Sequence, residues 1–163
     1  MRGNCNPLAG CISTAWQTIA SWTIQKQPSS PSLQTKTPNF PSVCDGQNVS
    51  ATFVPGTGGT GCTDEYQYQY DGAGGWFPYT PGNNISTTSH SSVLIQGRRS
   101  NCTAGSGCNA SAWTDLVSWT ITTQPTAPTL NTATPNLPEV CSGQPVSATF
   151  NPGSGGSGCT DQF

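Results

Sequence analysis

Residues 1–66 and 98–163 of this chain are copies of one another in a single unbroken register, offset by 97 positions without insertion or deletion. Of the 66 aligned pairs 37 are identical, running from Arg2/Arg99 to Asp64/Asp161 and including Cys5/Cys102, Cys11/Cys108, Trp16/Trp113, Trp22/Trp119, Cys44/Cys141 and Cys62/Cys159. The fold must therefore be built from one unit used repeatedly. Fixed-period self-similarity is the signature of an array, in which function belongs to the assembly more than to one pocket. The Pro-rich stretch Gln27-Pro28-Ser29-Ser30-Pro31 and its echo Gln124-Pro125-Thr126-Ala127-Pro128 supply the expected boundaries. They divide the chain into residues 1–27, the end of one repeat; 28–124, a complete repeat; and 125–163, the start of the next. Such proline-rich, weakly charged connectors are extended and semi-rigid, and the partition reads the chain as a window on a longer polymer.

Charged residues make up 7% of the chain, against about a quarter in ordinary globular proteins. Thr, Ser, Gly, Asn, Gln and Pro take their place, and no window keeps apolar residues at helical spacing, so an all-β fold is expected. Val49-Ser50-Ala51-Thr52-Phe53 alternates with period two and reads as the core strand. Tyr66, Tyr68 and Tyr70 alternate with Gln67 and Gln69 and share one face. Val93 and Ile95, and later Val117, Trp119 and Ile121, mark two further inward-facing strands. Prolines 38 and 41 make Leu33 to Cys44 read as an irregular edge segment. Pro55 to Gly61 reads as an exposed loop, since its glycines permit turns and its small side chains cannot fill a core. About seven short strands per period, with Gly/Pro turns every eight to twelve residues, is the pattern of an immunoglobulin-like β-sandwich. A barrel is the alternative.

The eight cysteines fall four to a period at constant spacing, with no C-x-x-C or His-rich pattern for a metal. Disulfides are the expected use of Cys5, Cys11, Cys44, Cys62, Cys102, Cys108, Cys141 and Cys159, which implies an oxidising, extracellular compartment. The constant length and varying content between Cys102 and Cys108 favour a local ring there, with Cys44 meeting Cys62. In a sandwich Cys62 could instead reach Cys102 or Cys108, so the connectivity stays open at this level. Four sequons begin at Asn48, Asn84, Asn101 and Asn109 and are candidates for glycosylation.

Residue by residue the chain resembles the tandem Ig-like or PKD-like repeats of very large bacterial surface proteins and gliding-type adhesins, especially those of Bacteroidota. The resemblance rests on Val43-Cys44-Asp45-Gly46-Gln47 leading into Val49 to Phe53, on Tyr68-Gln69-Tyr70-Asp71-Gly72 followed by Trp76 and Tyr79-Thr80-Pro81-Gly82, and on Ser118-Trp119-Thr120-Ile121. It implies spacer and adhesive stalk units at the cell surface, without catalysis.

A net charge of −2 with scattered basic residues leaves no stripe for a phosphate backbone, so nucleic acid is not an expected partner. Apolar runs fall far short of the roughly 20 residues that cross a bilayer. The single histidine, His90, reads as a solvated loop residue, and no base stands beside a nucleophile. Asp64, Glu65 and Asp71 are the one carboxylate cluster, too few oxygens for a calcium ion by themselves. Glu65 becomes Gln162 in the next copy, which argues against a catalytic pair. The first expectation is a non-enzymatic component of an extracellular fibre or stalk, with neighbouring copies as partners and no cofactor. The alternative is a glycan-binding or adhesive module that uses exposed aromatics, Trp76 and Tyr79 foremost.

Overall fold

The structure, a computed structural model, describes residues 15–103, 107–156 and 158–163. Among them there are ten strands and no helix. β1 (Ser32–Thr37), β3 (Asn48–Val54) and β6 (Ile85–Ser86) form a three-stranded sheet in the order β1-β3-β6. β2 (Ser42–Cys44), β4 (Thr63–Tyr70), β5 (Phe77–Pro78), β7 (Ser92–Ser100) and β8 (Thr114–Thr122) form a second sheet in the order β2-β8-β7-β4-β5. β9 (Thr129–Thr134) and β10 (Ser147–Asn151) pair by themselves as an antiparallel ribbon.

Period-two burial builds the core from both sheets. Val49, Ala51 and Phe53 of β3 point inward, as do Val93 and Ile95 of β7 and Val117, Trp119 and Ile121 of β8. Ring contacts close the gap between sheets: Phe53 stacks on Tyr66 with centroids 4.8 Å apart, and Trp119 Nε1 donates to the Pro38 carbonyl at 3.0 Å. All pairings are antiparallel except β2 with β8, which runs Ser42↔Thr120, Val43↔Ile121, Cys44↔Thr122.

Leu33 to Cys44 lies at sheet edges, as its prolines imply: residues 32–37 are the outer strand of the three-stranded sheet, paired with β3 across a bulge between Leu33 and Thr35, and 42–44 are the outer strand of the five-stranded sheet, paired with β8. Both prolines fall between these strands, so neither removes a ladder donor. One expectation needs correction: the glycine loop is not simply exposed. Gly56 is buried, and a Cβ on it would stand 2.2 Å from the Ser29 carbonyl oxygen.

The two copies of the repeat start have the same sequence pattern and different surroundings. Val49 is fully buried whereas its counterpart Val146 is 67% exposed. Trp119 is 1% exposed whereas its counterpart Trp22 is 85% exposed. Residues 139–141, the copy of β2, are not a strand, and among the described residues no counterpart of β8 lies beside them.

Candidate functional site

Two features of the β1–β8 unit stand out: a clasp at the end where the chain enters and a groove on the face of β4. The clasp begins with two backbone hydrogen bonds and one between hydroxyls. Ser29 N donates to Thr57 O at 2.8 Å, Gly59 N donates to Lys26 O at 2.8 Å, and the Ser29 and Thr57 hydroxyls lie 2.9 Å apart. Glycines are required for the fit, since a Cβ at Gly56 would meet Ser29 O and one at Gly58 would meet Gln27 O, each at 2.2 Å. The loop is held from behind by charge. Asp64 accepts from Gly56 N and pairs with Arg99 at 3.0 Å, and Arg99 Nε donates to Gly58 O at 2.9 Å.

The second copy repeats the backbone hydrogen bonds of the clasp. Thr126 N donates to Ser154 O at 2.7 Å, Gly156 N to Thr123 O at 2.9 Å, and Gly153 N to Asp161 Oδ2 at 3.0 Å. Thr123 follows the last residue of β8 directly, and Gln124 Nε2 donates to Asp45 O at 2.7 Å. One unit's final strand therefore runs without slack into the next unit's clasp. The sequence points to this contact: modules meeting end to end are expected to use residues near Gln27-Pro28 and the glycine loop at 55–61, and Gly56, Gly58, Gly59 and Gly61 all recur as Gly153, Gly155, Gly156 and Gly158.

A disulfide stands beside the clasp. Cys62 at the start of β4 bonds Cys102 just after β7, with S–S 2.06 Å and 40 residues of separation. The favoured Cys44–Cys62 pairing is thereby overturned. Thr63 pairs with Ser100 in the β4–β7 ladder, which brings the residues flanking it together, whereas Cys44 lies on β2 beside Thr122. Cys44, Cys141 and Cys159 are free thiols, and Cys108 Sγ lies 3.9 Å from Lys26 O. Cys5 and Cys11 lie outside the described residues.

The groove, about 540 Å³, is lined by Glu65, Tyr66 and Gln67 of β4, by Trp76, Pro78 and Tyr79, and by Trp113 ahead of β8. Trp76 is 38% exposed. Arg98 covers one face of Trp113, its guanidinium carbon 4.5 Å from the ring centroid, and pairs with Glu65 at 2.8 Å. The Ser100 hydroxyl dipole, the Arg98 guanidinium and the Asn101 amide hold the Glu65 carboxyl below its ordinary range. Of these, Arg98 and Asn101 close well-formed hydrogen bonds to it, and the buried Ser100 hydroxyl does not. Burial, and then the Asp64 charge, pushes the Tyr66 phenol up. The groove thus offers indole surface, an amide and a phenol that stays protonated, the mixture that suits a neutral polyhydroxyl ligand.

Tyr79 borders the groove, but its hydroxyl is spent on the backbone inside the core. It is buried, its hydroxyl accepts Ala51 N–H at 2.9 Å, and Ala51 O and Asn83 O each lie 3.0 Å away as acceptors. His90 is likewise not a free loop side chain. Its ring stacks on Tyr70 at 3.6 Å, and Nδ1 lies 3.0 Å from Asp71 Oδ2. Asp71 also receives Ser91 N, Ser91 Oγ and Ser92 N on its other oxygen. The His90 contact first, and these donors after it, hold its carboxyl far below the usual range. Burial, with Tyr68 nearby, pushes the Tyr70 phenol up to about 12.

Asp64 and Glu65 sit at one end of β4 and Asp71 just beyond the other, so the three carboxylates do not converge on a cation. Each is already satisfied by its own donors. Asn48, Asn84 and Asn109 are exposed. Asn101 is exposed too, but its Nδ2 donates to Glu65 Oε1 at 2.6 Å. Among the described residues no helix is long and apolar enough to cross a membrane. Compared with protein-family models, curated proteins and solved structures, the chain matches none.

Proposed function

We propose that the chain is a structural segment of an extracellular fibre or surface stalk, made of Ig-like sandwich units in series, and that it is not an enzyme. The observation that carries this reading is the clasp, which recurs at the 97-residue period on Lys26–Ser29 and again on Thr123–Thr126. A junction with no slack transmits tension and resists bending, which is what a stalk needs and what a soluble enzyme does not. Two sheets of three and five strands around one core, closed by a parallel edge pair, support the sandwich assignment. The disulfide supports an oxidising location, and the likeness to Bacteroidota surface repeats supports a bacterial envelope. Neighbouring copies of the repeat are the partners.

Electron microscopy of the native material tests this. A thread with an axial period of about 35–50 Å, set by strands of five to ten residues at about 3.3 Å each plus the connector, is the expected result. Isolated globules would refute it. A second reading is favoured by one observation, the groove between Trp76 and Trp113: adhesion to glycans along the stalk. Glycan-array binding that disappears in Trp76→Ala would establish it, and an array with no signal would remove it.

A further inference from the structure

We infer that the groove on β4 reads a hydroxyl of a neutral glycan with the amide oxygen of Gln67, which is oriented and polarised by a hydrogen-bonded row that starts outside the groove, at Asp115. This deepens the glycan reading given above and rests on it. Asp115, Gln96 and Gln67 stand opposite one another across β8, β7 and β4, through the pairs Gln96↔Asp115 and Gln67↔Gln96. A bulge makes the row possible. The register steps from Ile95↔Val117 to Gln96↔Asp115, so β8 carries one extra residue there, Leu116. Strict alternation would place Asp115 on the inward face with Val117; the extra residue turns it out beside Gln96, while Leu116 packs against the core.

The carboxylate sets the direction of the whole row. Asp115 only accepts, so Gln96 must turn its Nε2 toward it, 2.6 Å from Oδ1. Gln96 Oε1 then faces Gln67 and accepts Gln67 Nε2 at 3.3 Å. That leaves Gln67 Oε1 as an acceptor with no protein donor among the described residues, on a side chain that lines the groove. Each bond in such a chain strengthens the next, so the negative charge of Asp115 is felt at that oxygen.

Other charge in the groove is already cancelled, since Glu65 pairs with Arg98 and Asp64 with Arg99. Trp76 and Trp113 add ring surface to the same groove. The ligand that suits this set has hydroxyl donors, apolar C–H faces and no charge, which describes a neutral pyranose. An anionic sugar would bring a carboxylate against an acceptor, and the same arrangement rejects it. Thr18 stands at the Asp115 position of the preceding copy, so this selectivity belongs to the unit of β1–β8 and not to the period.

Calorimetric titration of the full chain with cellohexaose, laminarihexaose, mannohexaose and hexagalacturonate is the test. The parent should bind at least one neutral probe and not hexagalacturonate. Gln67→Leu should weaken the neutral binding about three- to tenfold, the scale of one hydrogen bond. Asp115→Lys should turn the row around: the new ammonium donates to Gln96 Oε1, Gln96 Nε2 faces Gln67 Oε1, and the groove is left with a donor in place of its acceptor. Preference should then swing toward hexagalacturonate by about tenfold or more. Adding Gln67→Leu to Asp115→Lys should remove that swing, which separates the row from the bare charge of the new side chain. Both side chains face outward, so the core is kept, and near-ultraviolet circular dichroism verifies it. Neutral binding indifferent to Gln67→Leu, or a swing that persists in the double variant, overturns the inference; if Trp76→Ala still abolishes that binding, the glycan reading stands without it. A parent that binds no neutral probe also overturns the inference, and a silent glycan array removes the reading beneath it.

Discussion

Replacing Tyr79 by Phe keeps the ring in the core and removes one oxygen, so it isolates what the hydroxyl does. That oxygen is the acceptor for Ala51 N–H at 2.9 Å, and its proton goes to Ala51 O or Asn83 O, each at 3.0 Å. Ala51 O keeps a second donor, Gly82 N at 2.8 Å, and so remains satisfied. Ala51 N–H does not: it lies 2% exposed in the middle of β3, with no other partner within reach. An orphaned buried donor costs about 1–3 kcal/mol, and the hydrogen bonds lost with it bring the expected destabilisation to about 2 kcal/mol. With a urea slope of about 1–2 kcal/mol/M the midpoint should fall by about 1–2 M, at unchanged slope. Urea titration followed by tryptophan fluorescence reads this directly, because Trp119 lies in the same core. A loss under about 0.5 kcal/mol, the scale of an ordinary surface change, would refute the reasoning.

Gly58→Ala should prise the connector from its loop, since the new methyl would meet Gln27 O at 2.2 Å on backbone with φ of +77°; trypsin should then cut after Lys26 faster than in the parent chain. Opening the Cys62–Cys102 bridge frees a 40-residue separation and should destabilise the unit by about 4 kcal/mol on the chain-entropy relation, read as the difference between urea midpoints with and without reductant; peptide mapping should recover this pair and no Cys44–Cys62 pair. Asp71 has its carboxyl pKa depressed in the folded chain by His90, Ser91 and Ser92, so its contribution is complete above the unfolded value near 4 and fades as pH falls below it. The stability gap between the parent and Asp71→Asn should accordingly narrow as pH is lowered from about 5 to about 2, and a gap independent of pH would contradict the assignment.

Much of the fold was legible because burial in a strand has the shortest period a sequence can carry. Val49, Ala51 and Phe53, Val93 and Ile95, and Val117, Trp119 and Ile121 all lie inward as their alternation predicts. The groove was legible only in part. Trp76 does stand at its rim, but Tyr79 differs from it by having backbone partners 28 residues away, and no local pattern encodes that. His90 went unread for the same reason: its stacking partner is on another strand. Cysteine spacing marked the sulfurs as crosslinks but not their pairing, because pairing depends on which strand ends the β4–β7 register brings side by side.

The sequence alone determined the period and the strand faces, since these depend on spacing along the chain, whereas the need for glycine at position 56 comes from a distant carbonyl, Ser29 O. Which copies of those strands become core was a tertiary decision. Val49 and Val146 have the same neighbours in sequence, yet one is sealed and the other 67% exposed. Burial depends on a second sheet arriving from elsewhere in the chain: β8 covers Val49, and among the described residues no strand covers Val146.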